Sequence, residues 1–253
     1  LPDDYSKNDF SGIFKTFEKN KNKIYSLEFI EEILSNDADS SIIWLHGLGA
    51  SGHDFEPVVP HLGLDENIMV RFLFPHAPSI PVTINNGFTM PAWYDIEHMD
   101  IDRTIDVRGI AQSADRVDAI VQAQIDVGID PNRIILVGFS QGGAVALYAG
   151  VRSKEPLAGV VALSTYWVGD QDSTLSPGRN PDALPIEIHH GTLDPVVPYV
   201  LGEQARDSLS ALGYPVSFQA FATPHSVVPE QLRAIGQWMA LRLNSDSPTR
   251  SKE

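Results

Sequence analysis

Short apolar runs alternate with amphipathic stretches along most of this chain, and the alternation predicts a sheet covered by helices. Strands are expected at 25–34, 41–46, 68–74, 133–138, 158–164, 185–190 and 215–222, and helices at 104–127, 142–152, 199–212 and 226–243. Because helices separate the buried runs, the strands should be mostly parallel, with helices on both faces of the sheet. The expected fold class is therefore α/β.

Lysine usage separates the first 23 residues from the remainder, because Lys154 and Lys252 are the only lysines beyond them. This N-terminal extension contains apolar side chains at the spacing of one helix face, namely Phe10, Ile13, Phe14 and Phe17. The short helix is expected to pack on its own domain or on a neighbouring subunit, or to form a partial lid over an apolar cleft. Residues 24–244 are expected to form the main folded domain, and the polar tail 245–253 is predicted to be disordered.

Composition indicates how large a core the chain can form and which covalent and membrane features it lacks. The 253 residues, 43% of them hydrophobic, are enough for one large core. The chain has no cysteine, so it has no disulfide, thiol nucleophile or thiolate metal site. That composition fits a reducing compartment, and a cytoplasmic location is expected. No run approaches 18 apolar residues, so no membrane span is predicted.

The formal net charge of −15 limits the classes of partner that the protein surface can bind. An acidic surface repels phosphate backbones, which argues against nucleic-acid binding. The same charge disfavours tight docking on anionic bilayers. A small-molecule substrate is therefore the expected partner.

The pentapeptide Gly138-Phe139-Ser140-Gln141-Gly142 carries the clearest chemical signal. A bare G-x-S-x-G motif arises by chance in about one chain in ten of this length, as a turn without chemistry. Here an apolar run, 133–137, precedes it and a helix-like run, 143–149, follows it. Strand, sharp turn and helix with serine at the apex form the nucleophile elbow of serine hydrolases. Ser140 is the predicted nucleophile.

A serine hydroxyl needs an adjacent base, and hydrolases with this elbow place the acid and then the histidine after the serine. His225 follows Ser140 and the two acid candidates, Asp194 and Asp170, and it lies between the last predicted strand and the last predicted helix. Asp194 follows strand 185–190 at its carboxyl end, where open α/β sheets bind their ligands. Asp170 also follows a strand and remains a rival. The predicted triad is Ser140, Asp194 and His225.

The oxyanion of acyl transfer needs two aligned N–H donors. Gln141 supplies one from its backbone, because it follows the nucleophile. The glycine-rich turn 46–52 follows an early strand and can direct the N–H of Leu48 at the site, with His46 shaping the loop. No metal is expected, because the adjacent His189 and His190 of a strand point to opposite faces.

Residues 80–99 form a segment too long and irregular for a simple connector, and such loops often shape a site. An acyl groove is predicted along it, lined by Met90, Trp93 and Tyr94, with a second wall from Trp167 and Val168. The alternative for Trp93 is a position in a small core beneath the loop.

Taken together, these motifs make the chain similar to the acyl-protein thioesterase/lysophospholipase branch of the α/β-hydrolases. The matching strings are WLHGLGASGHDF (44–55), FPHAP (74–78), AWYDI (92–96), RIILVGFSQGGAVAL (133–147), LSTY (163–166), HGTLDPVVP (190–198) and HSVVPE (225–230). The resemblance implies an α/β-hydrolase fold, the same triad and oxyanion donors, hydrolysis of esters or thioesters without a cofactor, and frequent homodimers. The chain departs from the family pattern at Pro224 and Pro91, where glycine and arginine are usual.

The predicted function is a serine carboxylesterase that acts on short to medium acyl chains through an acyl-enzyme. The alternative within the same chemistry is a lysophospholipase or acyl-protein thioesterase that acts on long-chain esters or thioesters. A more distant alternative is a binding protein that has this fold without catalysis.

Overall fold

A computed structural model describes residues 27–34, 37–65, 67–97, 105–178 and 181–244 of the chain. The predicted extension 1–23, with its short helix, and the tail 245–253 lie outside these residues. No helix within the described ranges is both long and apolar enough to cross a bilayer.

The centre of the described structure is a seven-stranded sheet. Its strands are β1 (Phe29–Ile33), β2 (Ser40–Leu45), β3 (Val70–Pro75), β6 (Ile134–Phe139), β7 (Gly159–Leu163), β8 (Ile186–Gly191) and β9 (Val216–Phe221). They lie in the order β1-β3-β2-β6-β7-β8-β9, with β1 antiparallel to β3 and every other pair in this sheet parallel. All seven fall on predicted strands, and the α/β class is confirmed.

Helices cover both faces of the sheet, as the buried character of the strands predicts. The helices are α1 (Val107–Asp126), α2 (Gln141–Arg152), α3 (Tyr199–Ala211) and α4 (Pro229–Asn244). The first three share one core with one face of the sheet, and α4 shares a second core with the other face. β2 and β6 are buried along nearly their whole length, because they lie between these two cores.

A two-stranded hairpin, β4 (Ser79–Val82) and β5 (Phe88–Pro91), lies where the sequence predicted an irregular segment. That part of the prediction is wrong. Residues 83–87 connect the two strands, and Asn86 and Gly87 at the end of this connection adopt positive φ, at 55° and 73°, a conformation that asparagine and glycine tolerate best. The hairpin also bonds to the predicted oxyanion loop, since Gly49 donates to the carbonyl of Pro91 over 2.8 Å.

Candidate active site

Ser140 lies at the apex of a strained turn between β6 and α2. Its backbone has φ 55° and ψ −120°, a conformation that costs about 1–3 kcal/mol for a residue with a side chain. Two bonds hold it there: its N–H donates to Leu163 over 2.8 Å, and its carbonyl accepts from the Thr165 hydroxyl over 2.7 Å. Leu163 ends β7 and Thr165 lies just after it, so the neighbouring strand fixes the serine.

Gly138 and Gly142 make the sharp turn sterically feasible. A Cβ on Gly138 would lie 2.2 Å from the carbonyl oxygen of Gly142, and a Cβ on Gly142 would lie 2.5 Å from the carbonyl oxygens of Leu45 and His46. No side chain fits at either distance. The two glycines therefore bring β6, α2 and the loop after β2 into direct contact around Ser140.

Asp194 and His225 meet at the same edge of the sheet. His225 Nδ1 lies 2.7 Å from Asp194 Oδ2, and the carboxylate is fully buried. The other oxygen of Asp194 accepts from the N–H groups of Val196 and Val197, each over 2.8 Å. These contacts leave His225 Nε2 as the ring nitrogen with a free lone pair. The His225 ring packs on Phe139, the residue before Ser140, with centroids 4.7 Å apart.

His190 supports the loop that carries Asp194. It is fully buried, its Nε2 lies 2.9 Å from the carbonyl of Val197, and the same nitrogen is 3.7 Å from Asp194 Oδ2. Burial lowers the pKa of His190, which keeps the ring neutral near pH 7. A neutral imidazole here holds the Val197 segment without adding a charge next to the carboxylate.

The alternative acid, Asp170, forms its hydrogen bonds with residues other than His225. Its carboxylate accepts from Trp167 Nε1 over 3.0 Å and from the Ser208 hydroxyl over 2.7 Å. Asp194, not Asp170, is the carboxylate that contacts His225 in the structure.

The loop after β2 is anchored by His46. The ring is fully buried, its Nδ1 donates to the carbonyl of Gly47 over 2.7 Å, and its Nε2 accepts from the N–H of Ala77 over 3.0 Å. The carbonyl of His46 accepts from Trp93 Nε1 over 2.8 Å. These bonds fix the backbone just before Leu48. His46 thus has the loop-shaping position that the sequence predicted.

Gln141 has two separate roles in the geometry. Its backbone N–H lies in the first turn of α2, where helical N–H groups lack partners within the helix. Its side chain is buried, accepts from the N–H of Trp93 over 2.8 Å and donates to the carbonyl of Tyr94 over 2.7 Å. The glutamine therefore ties the segment after β5 to the elbow, a contact that the motif did not reveal.

A cavity of about 330 Å³ joins the predicted groups. Ser140, His225, Leu48 and Gln141 all border it. The remaining lining is mostly apolar: Gly47, Ala50, Asp54, Phe55, Ile96, Phe139, Tyr166, Val196 and Val197. The cavity therefore has the polar groups of Ser140 and His225 in one part of its wall and mostly apolar residues in the rest.

The predicted acyl groove needs correction, because none of its five side chains borders this cavity. Trp93 and Tyr94 are 1% and 2% exposed, and they pack in the core under α1 and α2. Trp167 and Val168 join the same core. Met90 lies on β5, with its sulfur next to Gly49 and 3.3 Å from Asn85 Nδ2. The alternative for Trp93, a buried structural position, is the one observed.

Protonation of His46 would break the contact that anchors its loop, because Nε2 would become a donor facing the N–H of Ala77. Burial lowers the pKa of His46 below its ordinary value near 6.5. Below about pH 6.5 the unfolded chain therefore binds a proton that the native ring resists, and the free energy of unfolding should decrease. We expect His46→Gln to lose less stability than wild type between pH 7.5 and pH 5.5, as measured by urea denaturation.

His61→Gln is the control for this prediction, because His61 lies exposed at the surface. Its stability should follow the wild-type pH dependence. Equal pH dependence of wild type and His46→Gln would contradict the assigned protonation state.

No three His, Asp or Glu side chains are grouped to hold a metal ion in the described ranges. His189 contacts Glu187 over 2.8 Å, whereas its neighbour His190 contacts the Val197 segment, so the two rings are directed to different surroundings.

Comparison with known proteins gives consistent matches over this domain. The sequence profile of the phospholipase/carboxylesterase family matches residues 29–243. Acyl-protein thioesterase 1 of Neurospora crassa is 40% identical over 217 residues, which cover 81% of this chain and 87% of the relative. Acyl-protein thioesterase 1 of Cryptococcus neoformans is 37% identical over 217 residues, which cover 79% of this chain and 91% of the relative.

Solved structures show the same architecture. Arabidopsis thaliana SOBER1 has a TM-score of 0.74 at 32% identity, covering 81% of this chain and 99% of its own. Zea mays acyl-protein thioesterase 2 has a TM-score of 0.73 at 27% identity, covering 84% of this chain and 98% of its own. The expected similarity to the acyl-protein thioesterase branch is confirmed.

Proposed function

We propose that this chain, which belongs to the phospholipase/carboxylesterase family of α/β-hydrolases, cleaves acyl thioesters and esters through Ser140, His225 and Asp194. The observation that carries the proposal is the contact of 2.7 Å between buried Asp194 and the Nδ1 of His225, at a cavity that Ser140 also borders. The names of the relatives favour the thioesterase alternative over a short-chain carboxylesterase.

The first half-reaction follows from the tautomer that Asp194 imposes. With Nδ1–H donating to the carboxylate, His225 Nε2 accepts the hydroxyl proton of Ser140 as its oxygen attacks the acyl carbonyl carbon. Asp194 stabilises the resulting imidazolium without taking its proton. Because the carboxylate is buried and its other oxygen is held by two backbone N–H groups, it maintains this geometry throughout the step.

The backbone N–H groups of Leu48 and Gln141 are assigned to the tetrahedral oxyanion. Donors fixed in advance stabilise the developing charge without having to reorganise. Protonated His225 then passes its proton to the departing thiolate or alkoxide, and the acyl group remains on Ser140. Water activated by the same imidazole attacks this acyl-enzyme, releases the acid and regenerates the serine. No step requires a metal or an organic cofactor.

The apolar part of the cavity at Ser140 can bind the acyl chain of a substrate. Phe55, Phe139, Ile96 and Val197 border it, so a hydrocarbon chain gains free energy by leaving water. The acyl-protein thioesterases are the relatives in which that half is joined to a protein. We extend this substrate class to the present chain, and a cytoplasmic location and a homodimer stay predictions from the sequence.

Paired thioester and oxygen-ester substrates test this proposal. A peptide acylated on cysteine should be hydrolysed with a higher kcat/KM than the matching serine ester of the same chain length. Released thiol can be read with a thiol reagent without background, because the protein has no cysteine. A clear preference for the oxygen ester at every chain length would return the function to a carboxylesterase. Lysophospholipid, assayed for released fatty acid, separates the lysophospholipase alternative.

A further inference from the structure

Tyr166 borders two cavities at once. It borders the cavity that contains Ser140 and His225, and it also lines a second cavity of about 150 Å³. The other residues around the second cavity are Ile105, Trp167, Asp170, Gln171, Leu201, Gln204, Ala205 and Ser208. The two cavities therefore share one aromatic residue in their walls.

The walls of the two cavities are continuous beside that side chain. Ile96 borders the first cavity, and it forms a β-bridge with Ile105, which borders the second. Val197 borders the first cavity and Leu201, four residues later, borders the second. Aliphatic residues thus connect the walls of the two cavities at two places.

The second cavity is lined by both buried aliphatic residues and exposed polar ones. Leu201 and Ala205 are buried there, whereas Asp170, Gln171 and Gln204 are exposed at the surface. An alkyl chain that reached this cavity would find buried aliphatic surface at Leu201 and Ala205.

The side chain of Tyr166 is buried and hydrogen-bonded. It is 5% exposed, belongs to the core of the α1–α3 face, and its hydroxyl lies 2.6 Å from the hydroxyl of Tyr94. Core packing and the buried hydroxyl pair together hold the ring in one orientation next to the first cavity.

We propose that Tyr166 determines the longest acyl chain that the enzyme accepts, by separating the cavity at Ser140 from a second cavity that has buried aliphatic residues in its wall. The inference rests on the proposed hydrolysis at Ser140. Removing the ring should join the two cavities and let the terminal carbons of a longer chain enter the second one.

The test is the ratio of kcat/KM for long against short p-nitrophenyl acyl esters in wild type, Tyr166→Phe and Tyr166→Ala. Tyr166→Phe keeps the ring and should keep the wild-type chain-length cut-off. In Tyr166→Ala the cut-off should move to longer chains, with a gain of about fourfold in the ratio for each additional buried methylene. An unchanged cut-off in Tyr166→Ala would overturn the proposal.

Tyr214→Ala is the matched control for the loss of a buried tyrosine. Tyr214 is 4% exposed and contacts the carbonyl of Val151, away from both cavities. It should not alter the cut-off. If Tyr166→Ala does not fold, Tyr166→Leu replaces it and should extend the cut-off by a smaller amount; a Leu variant with the wild-type cut-off would contradict the proposal.

Filling the second cavity provides an independent readout. The double variant Tyr166→Ala/Ala205→Leu should return the cut-off toward wild type, because the added side chain occupies the newly connected space. Failure of this inference is distinguishable from failure of the proposed function. Short-ester hydrolysis that depends on Ser140 would persist in the first case and would be missing in the second.

Discussion

Replacing Ser140 by alanine is expected to lower kcat by roughly 10⁴- to 10⁶-fold. The alanine keeps the cavity, the oxyanion donors and the contact between His225 and Asp194, but removes the attacking oxygen. Because those remaining groups still bind the acyl group, KM should change far less than kcat. Initial rates on an activated ester give both quantities.

Ser153→Ala is a suitable control, because Ser153 follows the opposite end of α2 and lies far from the elbow. It should leave turnover near wild type. A serine-directed phosphonate should label the wild-type protein and Ser153→Ala but not Ser140→Ala. Near-normal turnover of Ser140→Ala would refute the nucleophile assignment. An unlabelled and inactive wild-type protein would favour the non-catalytic alternative.

Asp194→Asn is expected to lower kcat by about 10⁴-fold. An asparagine side chain can still accept from the N–H groups of Val196 and Val197, so the loop should keep its shape. Its amide nitrogen, however, favours the wrong tautomer of His225 and provides no negative charge to stabilise the imidazolium. Rates on the same activated ester, with thermal melting as a check on folding, test this expectation.

Asp170→Asn is the matched control at the rival carboxylate. Asp170 contacts Trp167 and Ser208, not His225, so this variant should retain most of its activity. If Asp170→Asn were crippled and Asp194→Asn nearly normal, the acid would have to be reassigned to the end of β7.

The strands and helices could be predicted because their signals are local. Buried runs such as 134–139 and the helical spacing of Ile110, Ala114, Val117 and Val121 reflect packing that depends mainly on neighbouring positions. The positions of Asp194 and His225 followed from chain order and from the rule that parallel strands end at one edge. Their contact needs only the short loops after β8 and β9.

The cavity lining could not be predicted because irregular segments do not fix side-chain direction. Trp93 and Tyr94 looked like groove residues, yet the side chain of Gln141 holds their backbone and both rings enter the core. Tyr166 lies in the loop after β7, where Ser164 has φ 46° and redirects the chain. Such turns depend on contacts between distant segments, and sequence spacing does not encode them directly.

Pro224, which stands where glycine is usual in the family, lies in a segment that contacts the end of β8. The carbonyl of Pro224 accepts from the N–H of Ser226 over 2.8 Å, and a Cβ on Gly191 would lie 2.6 Å from that same carbonyl oxygen. The Thr223–Pro224 segment therefore packs directly on the end of β8. This close approach couples the loop of His225 to the strand that precedes Asp194.

The sheet order divides the reacting groups into two halves with different mechanical support. Ser140 and Leu48 follow β6 and β2, which are paired with each other and flanked by strands on both sides. Asp194 and His225 follow β8 and β9, and β9 is the terminal strand of the sheet. The proposed nucleophile thus stands on interior strands, whereas the proposed base follows a strand with a neighbour on one side only. A change in β9 or in the loop after it should therefore displace His225 while leaving Ser140 in place.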